Sequence, residues 1–198
     1  SLEIKNFRSL EDFQVKKLGR VNLIVGKNNC GKSSVLEALW IYAGNANKSL
    51  LEKIAQSHDE KCYLDGSEQD GFDEPLPFED LYTGRKFPAN EKAISIGDNT
   101  NSKDHLTIYH AYIVEKDYPV TDDDGKSSTV TQNQYVTILS TKNHDRIIGN
   151  GLLVKKNGKA VGIDFNKTHP SFNRSVPDST ISPCSFIPTQ SVSMNDLA

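Results

Sequence analysis

The chain has 198 residues, 36% of them hydrophobic and 25% charged, and a formal net charge of −3. That length can build the core of one domain with some segments left outside it, and the acidic balance argues against a stand-alone nucleic-acid binder, which carries a basic face. No apolar run approaches the ~20 residues that span a bilayer and no signal-peptide pattern is present; with three cysteines (Cys30, Cys62 and Cys184) in no paired spacing, a soluble cytoplasmic protein with reduced thiols and no membrane partner is expected.

Strands are expected at residues 2–7, 12–18 and 21–25, the last because Val21-Asn22-Leu23-Ile24-Val25 has the apolar, β-branched character of a buried strand. Gly26-Lys27-Asn28-Asn29-Cys30-Gly31-Lys32-Ser33 follows, a complete G-x-x-x-x-G-K-[ST] pattern. Val35, Leu36, Leu39, Trp40 and Ala43 then recur at helical spacing, which predicts a helix over 32–44. Strand, glycine-bearing loop and helix in this order make a triphosphate site. Backbone N–H groups from Gly26 through Ser34 would surround phosphate oxygens at the positive end of the helix. Gly26 and Gly31 allow close backbone approach, and Asn28 and Asn29 tolerate left-handed backbone. Lys32 is expected to reach the β- and γ-phosphates and the Ser33 hydroxyl to ligate Mg²⁺, so ATP and Mg²⁺ are the expected ligands.

The first forty residues resemble a known family. Asn6-Phe7-Arg8-Ser9, then Gly26, Asn28, Gly31, Lys32, Ser33, Ser34, Glu37 and Ala38, are similar to the opening of the SMC, RecF and overcoming-lysogenization-defect ATPases, a branch of the ABC ATPases. The Asn28-Asn29 pair is most similar to the overcoming-lysogenization-defect branch and related ATPases of bacterial defence systems. Asn29 and Cys30 depart from the glycine and small residue common there, at positions that act through their backbone. The resemblance implies that Arg8 lies near the nucleotide.

Farther on, Leu50, Leu51, Ile54 and Ala55 form an apolar stripe after Asn47-Lys48-Ser49, which predicts a second, side-chain-capped helix. Residues 62–91, acidic and rich in Gly and Pro at their start, are expected to be a flexible insertion, with Phe78 to Tyr82 docking back as one helical turn. Strands are expected at 93–96, 106–114, 134–139, 152–154, 160–165 and 184–187. Asn157-Gly158 signals a two-residue hairpin, Asp122 to Gly125 top a longer one, and Gly149-Asn150-Gly151 reads as a turn. The five histidines are too scattered for a metal site.

Hydrolysis would need an acidic residue at the end of an apolar strand. The best local candidate, Asp164 after Val161-Gly162-Ile163, belongs to the Asn157-Gly158 hairpin, and no catalytic residue is assigned. The stretch from Cys184 to Gln190 is similar to the strand that leads to the family's Q-loop, which implies Gln190 as a Mg²⁺ sensor. The expected fold is an α/β (α+β) P-loop head: the N-terminal part, over 1–198, of an ABC- or SMC-like ATPase domain, with mostly antiparallel sheet beside the P-loop strand and helix and the second lobe missing from this chain. The resemblance implies ATP-driven pairing of two heads in a homodimer or higher oligomer, controlling a nuclease, toxin or DNA-associated partner, with antiphage defence as one output. A nucleotide-gated scaffold that does not hydrolyse ATP is the alternative, and nucleic-acid contact stays open. A P-loop kinase or GTPase fits less well, since hairpins rather than βαβ units follow the loop.

Overall fold

The computed structural model describes residues 1–56, 78–90, 92–98, 104–121, 127–141 and 146–165. Within them a seven-stranded sheet carries two helices: β1 (Leu2–Phe7), β2 (Leu10–Val15), α1 (Lys32–Ala43), α2 (Lys48–Gln56), β3 (Ile94–Gly97), β4 (Leu106–Thr121), β5 (Ser127–Thr137), β6 (Arg146–Lys156) and β7 (Lys159–Asp164). The strands run in the order β2-β1-β3-β4-β6-β7, with β5 also on β4, and every pairing is antiparallel.

Local chemistry explains most of these elements. Asn47 caps α2, its Oδ1 accepting from the Leu50 N–H at 2.9 Å, so an orphan amide of the first turn is satisfied. Asn157 and Gly158 take φ of 52° and 73°, the left-handed pair that a two-residue hairpin requires, and Lys156 faces Lys159 across the turn. At the other end of α1, the Lys156 ammonium donates to Tyr42 O at 2.9 Å and Asn45 Oδ1 at 2.8 Å, placing a cation on the helix's negative end.

One core joins the helices to the sheet. Val35, Ala38 and Ile41 of α1 and Leu50, Leu51 and Ile54 of α2 pack with Ile4, Phe7, Ile94, Ile96, Leu106, Ile108 and Leu152. Each fully buried Val, Leu, Ile or Phe of this set contributes ~2 kcal/mol by leaving water. Of the stretch expected as an insertion over 62–91, residues 62–77 and 91 lie outside the described residues. Residues 78–90 are anchored: Phe78, Leu81 and Tyr82 are buried, Tyr82 bridges to Phe7, and its hydroxyl donates to Ile108 O at 3.2 Å. The expected turn at Phe78 is a short 3-10 helix, Phe78–Leu81.

Three readings are corrected. Residues 21–25 form no strand: no described segment pairs with them, so their amides have no ladder to join, and Val21, Leu23 and Val25 are 91%, 86% and 76% exposed. The segment Gly149-Asn150-Gly151 is not a turn but lies inside β6, where the ladder with β4 shifts register between Ile113 and Val114. Its glycine is explained by packing. A Cβ at Gly151 would collide first with the Ile163 backbone carbonyl of β7 and then with the Tyr135 ring, and a Cβ at Gly162 would collide with that ring. Finally, β4 and β5 extend well beyond the expected 106–114 and 134–139, as a hairpin arm that pairs from Ala111↔Thr137 to Thr121↔Ser127, and Ile138–Ser140 turns off as a 3-10 helix. The tip, residues 122–126, and the expected strand at 184–187 lie outside the described residues.

Candidate functional site

The β1–β2 hairpin and the loop before α1 are built against each other. Phe7 faces Leu10, leaving Arg8 and Ser9 as the two-residue turn, with Arg8 in the left-handed region at φ 49°. The Arg8 N–H donates to Leu81 O at 2.9 Å, and the Thr83 N–H to Asn6 O at 3.2 Å, which ties the 81–85 segment to the same turn. Gly31 sits opposite at φ 89°, and a Cβ there would come within 2.7 Å of Ser9 Oγ. Only glycine satisfies both the conformation and the approach.

Gly31 is also the N-cap of α1 and supplies no side-chain cap, and the first turn of the helix holds no acidic residue. The first-turn amides and the positive end of the helix dipole therefore have no built-in anion. Lys32 folds over the loop, its Nζ donating to Gly26 O at 3.0 Å and Lys27 O at 2.6 Å, with Cys30 Sγ at 3.9 Å. Asn29 takes φ 61°, a conformation asparagine tolerates. Lys27, Asn28 and Cys30 are exposed along the loop, Ser33 is exposed at the helix start, and Ser34 is buried beneath it.

These pieces enclose a cavity of about 450 Å³ lined by Arg8, Ser9, Asn29, Gly31, Lys32, Ser33, Ser34, Asp80, Gly84 and Arg85. Arg8 is held there by Glu37, one turn into α1: Nε stands 3.0 Å from Oε2, and both side chains are 10% exposed or less. Of the residues expected from the sequence, the structure thus gathers Arg8, Asn29, Gly31, Lys32, Ser33 and Ser34 around one space. Gly26 closes the loop, where a Cβ would lie 2.6 Å from Cys30 Sγ. Gln190 lies outside the described residues. Asp164 ends β7 opposite Gly151 and is not among the lining residues. Asp80, Gly84 and Arg85 carry no motif that points to the site; Gly84 and Arg85, at φ 83° and 54°, form the bend that carries Arg85 to the cavity.

Comparison with known proteins identifies the family. Residues 1–176 match the AAA ATPase domain. The chain belongs to that family. Over 55 residues it is 48% identical to an uncharacterised protein of Methanocaldococcus jannaschii, covering 27% of this chain and 25% of that one. It is 32% identical over 69 residues to the DNA replication and repair protein RecF of Clostridioides difficile (34% and 19%), and 50% identical over 52 residues to the DNA double-strand break repair Rad50 ATPase of Archaeoglobus fulgidus (26% and 6%). The matched stretches span a quarter or less of these relatives' own lengths. No solved structure matches. An SMC- or RecF-like ATPase domain is what these likenesses support. Among the described residues, no helix of this AAA ATPase domain is long and apolar enough to cross a membrane.

Proposed function

We propose that the chain binds ATP with Mg²⁺ in the Arg8–Lys32–Arg85 cavity and forms the first lobe of an ATPase head. The observation that carries the reading is convergence: an uncapped helix N-terminus and Lys32 on one wall and two arginines from separate segments on the other meet around one space of phosphate-binding size. Lys32 now spends its donors on loop carbonyls, and an incoming phosphate offers a stronger, charged acceptor to the same ammonium. The site also fits a metal. The exposed Ser33 hydroxyl is a hard oxygen ligand in the same cavity as Lys32, and bound Mg²⁺ would offset phosphate charge there.

Hydrolysis belongs to the full-length protein. The exposed row Val21, Leu23 and Val25, with Leu36 of α1 also exposed, supports a second lobe that covers this side and brings the acidic strand. On this reading two heads close around ATP, hydrolysis opens them, and the cycle drives a nuclease, toxin or DNA-associated partner, as in antiphage defence. Full-length protein carrying Ser33→Ala tests the cycle. It should lose Mg²⁺-dependent, nucleotide-induced cross-linking of heads and ATP turnover together. Unchanged closure would contradict the metal's role; closure without turnover in the wild type would instead favour a nucleotide-gated scaffold.

A further inference from the structure

The β4–β5 hairpin runs out past the rest of the sheet. Among the described residues β6 accompanies β4 only as far as Glu115↔Arg146, whereas β4 and β5 stay paired to Thr121↔Ser127. This arm has two outer edges, and they differ in chemistry. The β4 edge carries Lys116, Asp117 and Pro119, the charges and missing donor by which proteins discourage strand addition. The β5 edge carries none of these devices. Its eleven residues, Ser127–Thr137, include no Lys, Arg, Asp, Glu, Pro or Gly and are rich in Thr and Val; among the described residues β4 is its sole strand neighbour. Ser127 to Gln132 are exposed.

We propose that the β5 edge is a homotypic pairing surface, on which two copies of the chain join β5 to β5 in antiparallel fashion about a two-fold axis. The chemistry of the edge favours this occupant: an uncharged strand of Ser, Thr, Val, Asn, Gln and Tyr is matched by a second copy of itself, and two chains of net charge −3 meet with least repulsion along a strand that carries no charge of its own. A two-fold pairing sets uncharged residues against uncharged residues along the whole contact. It also joins apolar strips: Tyr118 and Val130 are direct partners across the hairpin, Val120 follows two residues on, and all three are 40% or more exposed. The arm is already stiffened for pairing by Thr131 Oγ1 donating to Asp117 Oδ1 at 2.7 Å and Ser128 Oγ to Val120 O at 3.3 Å. One strand pair buries less than the ~1,200 Å² of a stable interface, so the contact is weak alone and gains strength where another contact already tethers the copies. It involves none of the nucleotide cavity.

Sedimentation velocity of the full chain without nucleotide, from ~5 to ~200 μM, together with amide hydrogen exchange, tests the proposal. The weight-average sedimentation coefficient should rise with concentration, and protection of 127–134 should rise in step. Val130→Lys with Gln132→Lys, at exposed positions, should weaken association ~10-fold or more at unchanged circular dichroism and melting temperature. Three results would each overturn it: a monomer at every concentration, a dimer indifferent to the two lysines, or β5 amides protected equally at all dilutions, which would mean that another segment of the same chain occupies the edge.

Discussion

Arg8 and Glu37 form a nearly dry ion pair, Nε to Oε2 at 3.0 Å, that joins the β1–β2 turn to α1 immediately beneath the candidate phosphate site. A lone buried charge is far costlier than a paired one, so the pair couples two elements that must keep register for the cavity to exist. Glu37→Ala is expected to cost ~3 kcal/mol in denaturant unfolding, and Arg8→Ala a comparable amount. The double variant should lose less than the sum by ~1 kcal/mol or more, because the second substitution removes the charge that the first stranded. Strict additivity would show that the two side chains do not depend on one another.

Arg85 offers a cleaner probe of binding. Its side chain is exposed, so Arg85→Ala should leave stability within ~0.5 kcal/mol of wild type while weakening Mg²⁺-ATP binding ~5-fold. Isothermal titration and thermal melts on one preparation separate the two effects. Equal affinity in variant and wild type would remove Arg85 from the site.

The pH dependence of stability should carry a signature of His110. Its ring stacks on Phe87 at 4.0 Å between centroids, and burial holds its pKa below the ordinary 6.5, opposed in part by a hydrogen bond with Asn150. The folded state therefore binds the proton less readily than the unfolded one. His110 contributes its full share of stability above pH ~6.5 and loses it as pH falls through the depressed folded value. Urea midpoints between pH 5 and 8 should fall on the acid side, and His110→Phe should flatten that slope. A slope unchanged in the variant would place the titration elsewhere.

Tyr135 and Gly162 make a packing prediction. Gly162→Ala forces a methyl into the tyrosine ring and should cost ~1–3 kcal/mol. Adding Tyr135→Ala removes the clash, so the alanine at 162 should cost less than ~1 kcal/mol in that background. A Gly162→Ala protein as stable as wild type would contradict the assigned contact.

Features written in local chemistry are legible in the sequence: the Gly26–Ser33 loop, the Asn47 cap of α2 and the Asn157-Gly158 hairpin each depend on a few adjacent residues. Features that need a distant partner are not. Val21–Val25 has every property of a strand except a neighbour among the described residues. The outer halves of β4 and β5 carry only Tyr118, Val120 and Val130 as apolar positions, because the arm stands in solvent on both faces, and so short an alternation gives little sign of them. Gly149 and Gly151 look like turn residues, and the reason for Gly151 is the Ile163 backbone on the neighbouring strand, with the Tyr135 ring beside it. Asp80 and Arg85 reach the cavity only because Tyr82 bridges to Phe7, a contact that no local motif announces.

Titration of Mg²⁺-ATP or a non-hydrolysable analogue into the wild-type chain and Lys32→Ala bears most directly on the nucleotide site. Lys32 makes its hydrogen bonds to the loop itself and is not part of the core, so the variant should fold with an unchanged melting temperature in the absence of nucleotide. The account predicts saturable binding by wild type and affinity reduced ~10-fold or more in the variant. Equal affinity in the two proteins, or no binding by the wild type, would contradict it.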